Sequence, residues 1–202
     1  MTINFAQKIQ TGRRLTKAEL QWIVGGQNSD PIIGNLENTH QLGESSNDVF
    51  YGDSGDNVLE GGNGNDVIDG LAGNDYMDGG IGDDLLIGGQ GDDIAIGGEG
   101  NDTFVWNISN NGSDVFDGGS GNDQIQLDLS TGDTSYLSLQ EAWENGGLTV
   151  ELLDVNGIPM AISDEMWDEN GNLDFNSDMS GMITGPGGEI LNFTDVEVVT
   201  MA

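Results

Sequence analysis

Residues 61–69 read GGNGNDVID, and this nonapeptide decides the fold. Uninterrupted blocks of nine on the same plan start at Gly43, Gly52, Gly61, Gly70, Gly79, Gly88 and Gly97. Two more blocks start at Ser109 and Gly118, after an insertion at 106–108. A short unit repeated at a fixed period predicts a fold made by stacking that unit.

Each block divides into a six-residue turn and a three-residue strand. Glycines at the first, second and fourth places permit backbone angles closed to other residues and let successive coils approach closely. The sixth place holds an acid or amide, at Asp48, Asn57, Asp66, Asp75, Asp84, Asp93, Asp102, Asp114 and Asp123. The eighth place holds an apolar residue, at Phe50, Leu59, Ile68, Met77, Leu86, Ala95, Phe104, Phe116 and Ile125.

Two blocks make one coil of eighteen residues, with a turn at each edge and a strand on each face. We expect the eighth-place side chains to stack inside the coil as a thin apolar ladder. Sixth-place carboxylates of alternate blocks then stack as well, with Asp66 over Asp84 on one edge and Asp75 over Asp93 on the other. Such carboxylates repel one another strongly wherever water is scarce.

Calcium would relieve this repulsion, because it accepts six to eight oxygen ligands in a flexible geometry. Carboxylates and turn carbonyls supply such oxygens. Magnesium suits the turns less well, since it demands a tight octahedron and gives up water reluctantly. Zinc is disfavoured in a chain with no cysteine and one histidine. The residues therefore favour Ca²⁺ as the cofactor.

The blocks resemble the RTX family, the hemolysin-type calcium-binding repeats of bacterial secreted toxins, proteases, lipases and surface proteins. The family pattern is G-G-x-G-x-D, followed by a residue, a large aliphatic residue and another residue. The resemblance covers residues 43–126 and implies an all-β fold, a parallel β-roll. It also implies that calcium is bound by Asp48, Asp66, Asp75, Asp84, Asp93, Asp102, Asp114 and Asp123, with turn carbonyls such as those of Gly61, Gly70, Gly79, Gly88 and Gly97.

Some blocks depart from the pattern. Asn57 replaces a sixth-place aspartate, Leu71 replaces a second-place glycine, and Ala95 leaves the apolar ladder underfilled. The insertion at 106–108 is a place where the stack can break. A glycine-rich disordered linker is the alternative interpretation, but it does not explain an aliphatic residue two places after each aspartate.

The charge is extremely one-sided. The chain of 202 residues has 36 acidic residues against four basic ones, and its net charge is −32. The basic residues are Lys8, Arg13, Arg14 and Lys17. Such a chain repels nucleic acid, anionic membranes and itself, so compaction needs cations from solution. No run of sequence approaches the length of a membrane span, which argues against membrane insertion.

Residues 15–26 read LTKAELQWIVGG and predict a short helix. Thr16 and Glu19 have the spacing of a capping box, and two glycines follow as a stop signal. The stretch resembles the double-glycine leader of bacteriocins and other small exported proteins. That resemblance implies recognition of Leu15, Glu19, Leu20 and Ile23 by a peptidase-containing ABC exporter, which would cut after Gly25 and Gly26. An ordinary N-terminal helix followed by a glycine turn is the alternative.

We therefore expect a cleaved leader at 1–26, a linker or roll edge at 27–42, the roll at 43–126 and a capping region at 127–202. The capping region is mixed but mostly β, with strand-like runs at 148–153 and 190–201 and a short helix at 138–145. Asp168, Asn170, Asn172 and Asp174 alternate like the start of an EF-hand loop. Leu173 occupies the place where that loop requires glycine, so a polar turn is the preferred interpretation.

The sequence favours a secreted or cell-surface calcium-binding module of bacterial origin and not an enzyme. Its predicted role is structural, at the cell surface or in a biofilm matrix, with cell-surface polysaccharide or self-association as partners. A bacteriocin-like or toxin effector is the alternative, suggested by the leader. A catalytic domain at 127–202 is the weakest hypothesis, because that region has no His, Cys, Lys or Arg.

Overall fold

A computed structural model describes residues 23–24, 31–33, 40–43, 45–107, 112–128, 139–144, 148–153 and 158–201. Within these ranges, no helix is both long enough and apolar enough to cross a membrane.

Short parallel strands form the first part of the fold, three of them before the first block and one starting in each of the nine blocks. They are β1 (Ile23–Val24), β2 (Pro31–Ile33), β3 (His40–Leu42), β4 (Val49–Tyr51), β5 (Val58–Asn63), β6 (Val67–Asp69), β7 (Tyr76–Ile81), β8 (Leu85–Ile87), β9 (Ile94–Glu99), β10 (Thr103–Asn107), β11 (Ser113–Ser120) and β12 (Gln124–Asp128). The odd-numbered strands pair with one another on one face, and the even-numbered strands pair on the other. Parallel strands wound in this order form a β-solenoid of about five turns, which confirms the predicted roll.

The register confirms the eighteen-residue coil. Val58 pairs with Tyr76 on one face, and Val67 pairs with Leu85 on the other. All nine eighth-place side chains are fully buried, and they form the apolar ladder along the axis of the roll. Ala95 lies in register between Met77 and Phe116, so large neighbours flank the smallest rung.

The insertion does not break the stack. Trp106 and Asn107 lengthen β10 and pair with Leu127 and Asp128, so the coil repeat increases from eighteen to 21 residues and parallel pairing continues. Trp106 is fully buried in the core. The stack tolerates the insertion because the longer strand keeps its backbone hydrogen bonds and adds apolar burial. Ile108 lies outside the described residues.

The chain before the roll differs from the sequence prediction. Ile23–Val24 forms a strand parallel to β3, paired with Gln41 and Leu42, and is not the end of a helix. The physical reason is that the edge strand β3 offers unpaired backbone groups, which a neighbouring extended segment can satisfy. The other residues of the predicted leader helix, including Leu15, Glu19, Leu20, Gly25 and Gly26, lie outside the described residues.

The described C-terminal residues add a short α-helix, a 3₁₀ helix and four strands that pair antiparallel with one another. These elements are α1 (Leu139–Glu144), β13 (Thr149–Leu153), β14 (Pro159–Met160), a 3₁₀ helix (Asp164–Met166), β15 (Leu173–Thr184) and β16 (Ile190–Met201). β16 runs parallel to both β11 and β12, so one strand covers the end of both faces. Phe193 pairs with Phe116 and Val199 with Ile125, which extends the apolar ladder by one more coil.

Candidate metal centre

The sixth-place side chains are buried at the two edges of the roll. Their exposed fractions are between 0% and 3% in all nine blocks, with Asn57 in the second block and aspartate in the others. A buried carboxylate is costly unless hydrogen bonds or a cation stabilise it. The turns therefore hold a row of carboxylates that require partners.

One oxygen of these carboxylates has a regular partner. Oδ1 of Asp84 accepts a hydrogen bond from the backbone N–H of Asp66 at 2.7 Å, one coil earlier. Oδ1 of Asp93 accepts in the same way from Asp75 at 2.8 Å. The pattern recurs across the insertion, where Asp123 accepts from the backbone N–H of Asp102 at 2.8 Å. These bonds fix the orientation of each carboxylate relative to the coil before it.

The second oxygen is different. Among the described residues, no hydrogen-bond partner reaches the buried Oδ2 atom of Asp66, Asp75, Asp84, Asp93, Asp102 or Asp123. We call these six atoms the open oxygens. Buried polar atoms are nearly always paired, so a row of open oxygens indicates a ligand-binding site. Because each belongs to an acid, the ligand expected there is a cation.

The first-place glycines create the space beside the open oxygens. A Cβ atom built on Gly70 would lie 2.5 Å from Oδ2 of Asp75 and 2.7 Å from the carbonyl oxygen of Gly88. The carbonyl oxygens of Gly61, Gly70, Gly79 and Gly97 likewise face the first-place glycine one coil earlier. Carboxylate and carbonyl oxygens thus line a small space beside each first-place glycine, which we call the cradle. The Cβ atom of any other residue would fill it. This donor set suits a hard, oxygen-seeking cation such as calcium.

The carboxylates hold their protons unusually tightly. Burial raises the pKa of Asp75 and Asp102 to about 7, and that of Asp84 and Asp93 to about 6. Backbone hydrogen bonds to Oδ1 lower these pKa values in part, whereas neighbouring carboxylates add to the increase. A cation at each open oxygen would reverse the effect of burial, because it favours the ionised form.

Asn57 shows what the edge is like without a carboxylate. Its Oδ1 accepts from the backbone N–H of Asp53 at 2.8 Å, while its backbone N–H still donates to Asp75 at 2.7 Å. The backbone of Asn57 therefore joins the ladder, whereas its side chain bonds within its own turn. The neutral amide brings no charge that a cation would offset.

A second ladder, which the sequence analysis missed, runs along the fifth places. Oδ1 of Asn47 accepts from the backbone N–H of Asn65 at 3.0 Å, and Oδ1 of Asn65 accepts from that of Asp83 at 3.2 Å. Here each side chain accepts from the following coil, opposite to the sixth-place direction. The signal was present in the sequence, since every fifth place holds Asn, Asp or Ser. The two ladders together hold neighbouring turns at a constant spacing.

Glu197 is a second residue that the sequence analysis missed. Its Oε2 accepts a hydrogen bond from the backbone N–H of Asp123, so it takes the place of a sixth-place aspartate in the next coil. Burial raises the pKa of Glu197 to about 7, and a hydrogen bond with Asp178 adds to that increase. The signal was an acid followed two places later by an aliphatic residue, Val199. The turn before Glu197 is shorter than in the nonapeptide blocks and lacks their glycines. The sequence pattern therefore does not reveal that Glu197 continues the ladder.

The EF-hand-like stretch is a polar turn, as the sequence analysis preferred. Oδ1 of Asp168 accepts from the backbone N–H groups of Asn170 at 2.7 Å and Asn172 at 2.9 Å. Its Oδ2 accepts from the side-chain amide of Asn172 at 3.0 Å. These hydrogen bonds lower the pKa of Asp168. The carboxylate of Asp168 therefore stabilises its own turn through these hydrogen bonds.

Across the described residues, no group of three or more His, Cys, Asp or Glu side chains gathers tightly enough to hold a metal ion alone. Any cation at the turns therefore needs backbone carbonyls as well as carboxylates.

The comparisons with known proteins agree with this geometry. The family model of the RTX calcium-binding nonapeptide repeat matches in four copies, at residues 42–77, 78–105 and 108–128. No curated protein matches the chain. The matched residues coincide with the coils that carry the open oxygens. The repeats and the β-roll together indicate a calcium-binding protein. The β-roll is a fold that usually has a structural role.

Proposed function

We propose that the protein is an exported bacterial module whose roll orders when calcium binds outside the cell, and that it then serves as a structural component. The observation that carries the proposal is the row of six open oxygens, each beside a first-place glycine. The proposed ligands are Asp48, Asp66, Asp75, Asp84, Asp93, Asp102 and Asp123, together with the carbonyls of Gly61, Gly70, Gly79, Gly88 and Gly97.

Charge explains why calcium would control the folding. With a net charge of −32, the chain repels itself, and the roll brings its carboxylates closer together. Calcium bound between turns would offset that repulsion, and binding free energy would become folding free energy. In a cytosol poor in calcium the chain would stay expanded, in a state suited to threading through an exporter. Extracellular calcium is near the millimolar affinity range of extracellular sites.

The sequence of residues 15–26 supports export through a dedicated transporter. All four basic residues precede the Gly25-Gly26 pair, and the remainder of the chain has neither Lys nor Arg. A peptidase-containing exporter would recognise Leu15, Glu19, Leu20 and Ile23 and cut after Gly26. Mass spectrometry of the secreted protein tests this directly. A mature chain that starts at Gln27 supports the leader, and one that retains residues 1–26 contradicts it.

A structural role at the cell surface or in a matrix fits a rigid acidic roll better than catalysis does. The partners that suit such a surface are acidic polysaccharide bridged by calcium, or further copies of the chain. A bacteriocin-like effector is the second candidate, favoured by the double-glycine leader. Calcium-dependent sedimentation with surface polysaccharide supports the structural role, whereas killing of sensitive cells by the mature protein supports the effector.

Small-angle scattering tests the calcium-dependent ordering. A folded chain of this length has a radius of gyration of about 17 Å, and an unfolded one about 48 Å. The elongated roll should lie nearer the first value in millimolar calcium, and the chain should expand strongly in chelator. Equal radii in calcium and in chelator would contradict the proposal.

A further inference from the structure

Asp114 is a sixth-place aspartate with a hydrogen-bond donor at each of its two carboxylate oxygens. Its Oδ1 accepts from the backbone N–H of Asp93 at 2.8 Å, like the other members of the ladder. Its Oδ2 accepts from Nε1 of Trp106 at 2.6 Å. Asp114 and Trp106 are both fully buried. The indole thus occupies the oxygen that is open in Asp75 and Asp93 on the same edge.

Trp106 owes this position to the insertion. It follows the last residue of a nonapeptide block and extends β10, which pairs it with Leu127. Phe104, two residues earlier, stacks on Phe116 with ring centroids 5.2 Å apart, so the indole lies in a well-packed part of the ladder. The three added residues therefore place a hydrogen-bond donor at a turn where the repeats alone offer carboxylates.

A cation at Oδ2 of Asp114 would have to displace the indole or share the oxygen with it, and sharing would bring the cation close to the positive end of the N–H dipole. The indole Nε1–H is a donor only, and a short bond from it to a carboxylate is among the stronger hydrogen bonds. Displacing it would leave a buried N–H without an acceptor or force the ring out of the core. The indole N–H of Trp106 therefore partly stabilises the buried carboxylate of Asp114. That carboxylate then needs no ion from solution.

We propose that Trp106 is a built-in substitute for calcium, and that Asp114 stabilises the roll without binding the metal. This inference rests on the proposed calcium binding at the other turns. The two edges then differ. One edge carries the open oxygens of Asp66, Asp84, Asp102 and Asp123, whereas the other carries only those of Asp75 and Asp93. The Trp106–Asp114 contact removes one turn of the second edge from those that take up metal, and the neutral Asn57 removes another.

Calcium stoichiometry distinguishes Asp114 from its neighbours on the edge. Isothermal titration calorimetry would be run on the chelator-treated full chain and on two variants, Asp114→Asn and the matched control Asp75→Asn. We expect Asp75→Asn to bind one calcium fewer than the unsubstituted chain, and Asp114→Asn to bind the same number. Loss of one calcium in Asp114→Asn as well would overturn the inference. Absence of calcium binding by the unsubstituted chain would instead overturn the proposed function.

A measurement on the unsubstituted chain keeps the test decisive if Asp114→Asn fails to fold. In calcium-saturated protein, the indole N–H of Trp106 should exchange with solvent at least about a hundredfold more slowly than an exposed indole, because opening must break a buried charge-assisted bond. The NMR signal is assigned by its loss in Trp106→Phe. Fast exchange at saturating calcium would show that the metal displaces the indole, and this would overturn the inference.

Discussion

The backbone N–H of Asp66 donates to Oδ1 of Asp84 at 2.7 Å, and this bond turns Oδ2 of Asp84 toward the cradle at Gly79. The carboxylate of Asp84 therefore has two roles. Its first oxygen joins consecutive coils, while its second is an open oxygen available to a cation. Folding and metal binding are coupled at the level of a single carboxylate.

Replacing Asp84 by Asn separates the hydrogen bond between coils from the negative charge available to a cation. The amide oxygen can still accept from Asp66, but the negative charge at the cradle is lost. We expect Asp84→Asn to bind one calcium fewer and to need more calcium for folding, as measured by calorimetry and circular dichroism. Asp83→Asn is the matched control, because Asp83 is an exposed fifth-place residue whose acceptor role toward Asn101 an amide preserves. Equal losses in both variants would contradict the assignment.

A methyl group at Gly70 should close one cradle. Its Cβ would lie 2.5 Å from Oδ2 of Asp75, far inside normal contact distance. We expect Gly70→Ala to lose one calcium and to be destabilised by about 1–3 kcal/mol, the usual cost of overpacking. Calorimetry and thermal unfolding in calcium measure both effects. Gly55→Ala is the control, since its Cβ would lie 3.4 Å from the nearest heavy atom, and a similar loss there would count against the cradle.

Leu71 has a strained backbone conformation, and a substitution that relieves this strain can stabilise the roll. It occupies a second place with φ of 69°, and its side chain is 45% exposed. The left-handed region costs an L-residue about 1–2 kcal/mol, part of which glycine returns as greater freedom in the unfolded chain. We expect Leu71→Gly to stabilise the calcium-bound roll by up to about 1 kcal/mol in denaturant titration. Leu71→Ala keeps the strain, so an equal gain there would point to another cause.

Acidification should partly replace calcium. In the metal-free roll, burial raises the pKa of Asp75 and Asp102 to about 7 and that of Asp84 to about 6, whereas unfolded aspartate titrates near 3.9. Between these values the folded state binds more protons than the unfolded state. The resulting stabilisation is complete below about pH 4 and is lost as the pH rises through about 6 to 7.

Circular dichroism in chelator measures this pH dependence. The β-sheet signal should increase as the pH falls from 8 to 5, and the increase should reverse on neutralisation. A signal that stays constant over this range would mean that the buried carboxylates do not limit folding of the metal-free chain.

The nonapeptide period was sufficient to predict the roll, its register and its core. Each sixth-place side chain is buried at an edge and each eighth-place side chain in the ladder, because a strand alternates its side chains and a repeat preserves that alternation. Asp66 and Ile68 could be placed from a single block. The same reasoning anticipated the close approach of coils at the repeat glycines, where there is no room for a Cβ atom.

Other features depend on contacts that a local pattern does not contain. Trp106 reaches Asp114 only once the coil has closed, so the sequence analysis treated the insertion as a weakness in the stack. Ile23–Val24 forms a strand because β3 supplies an edge for it, a tertiary effect that overrides a helical pattern. Glu197 continues the aspartate ladder in a turn shortened beyond recognition as a repeat. In each case a distant partner determines the outcome.

The most direct test of the central claim is far-ultraviolet circular dichroism of the chelator-treated full chain during calcium titration. We predict a cooperative gain of β-sheet signal at roughly millimolar calcium or below, no comparable gain with magnesium, and loss of the signal when chelator is added. A spectrum that is already β-rich in chelator at neutral pH and indifferent to calcium would contradict the claim that calcium folds the roll.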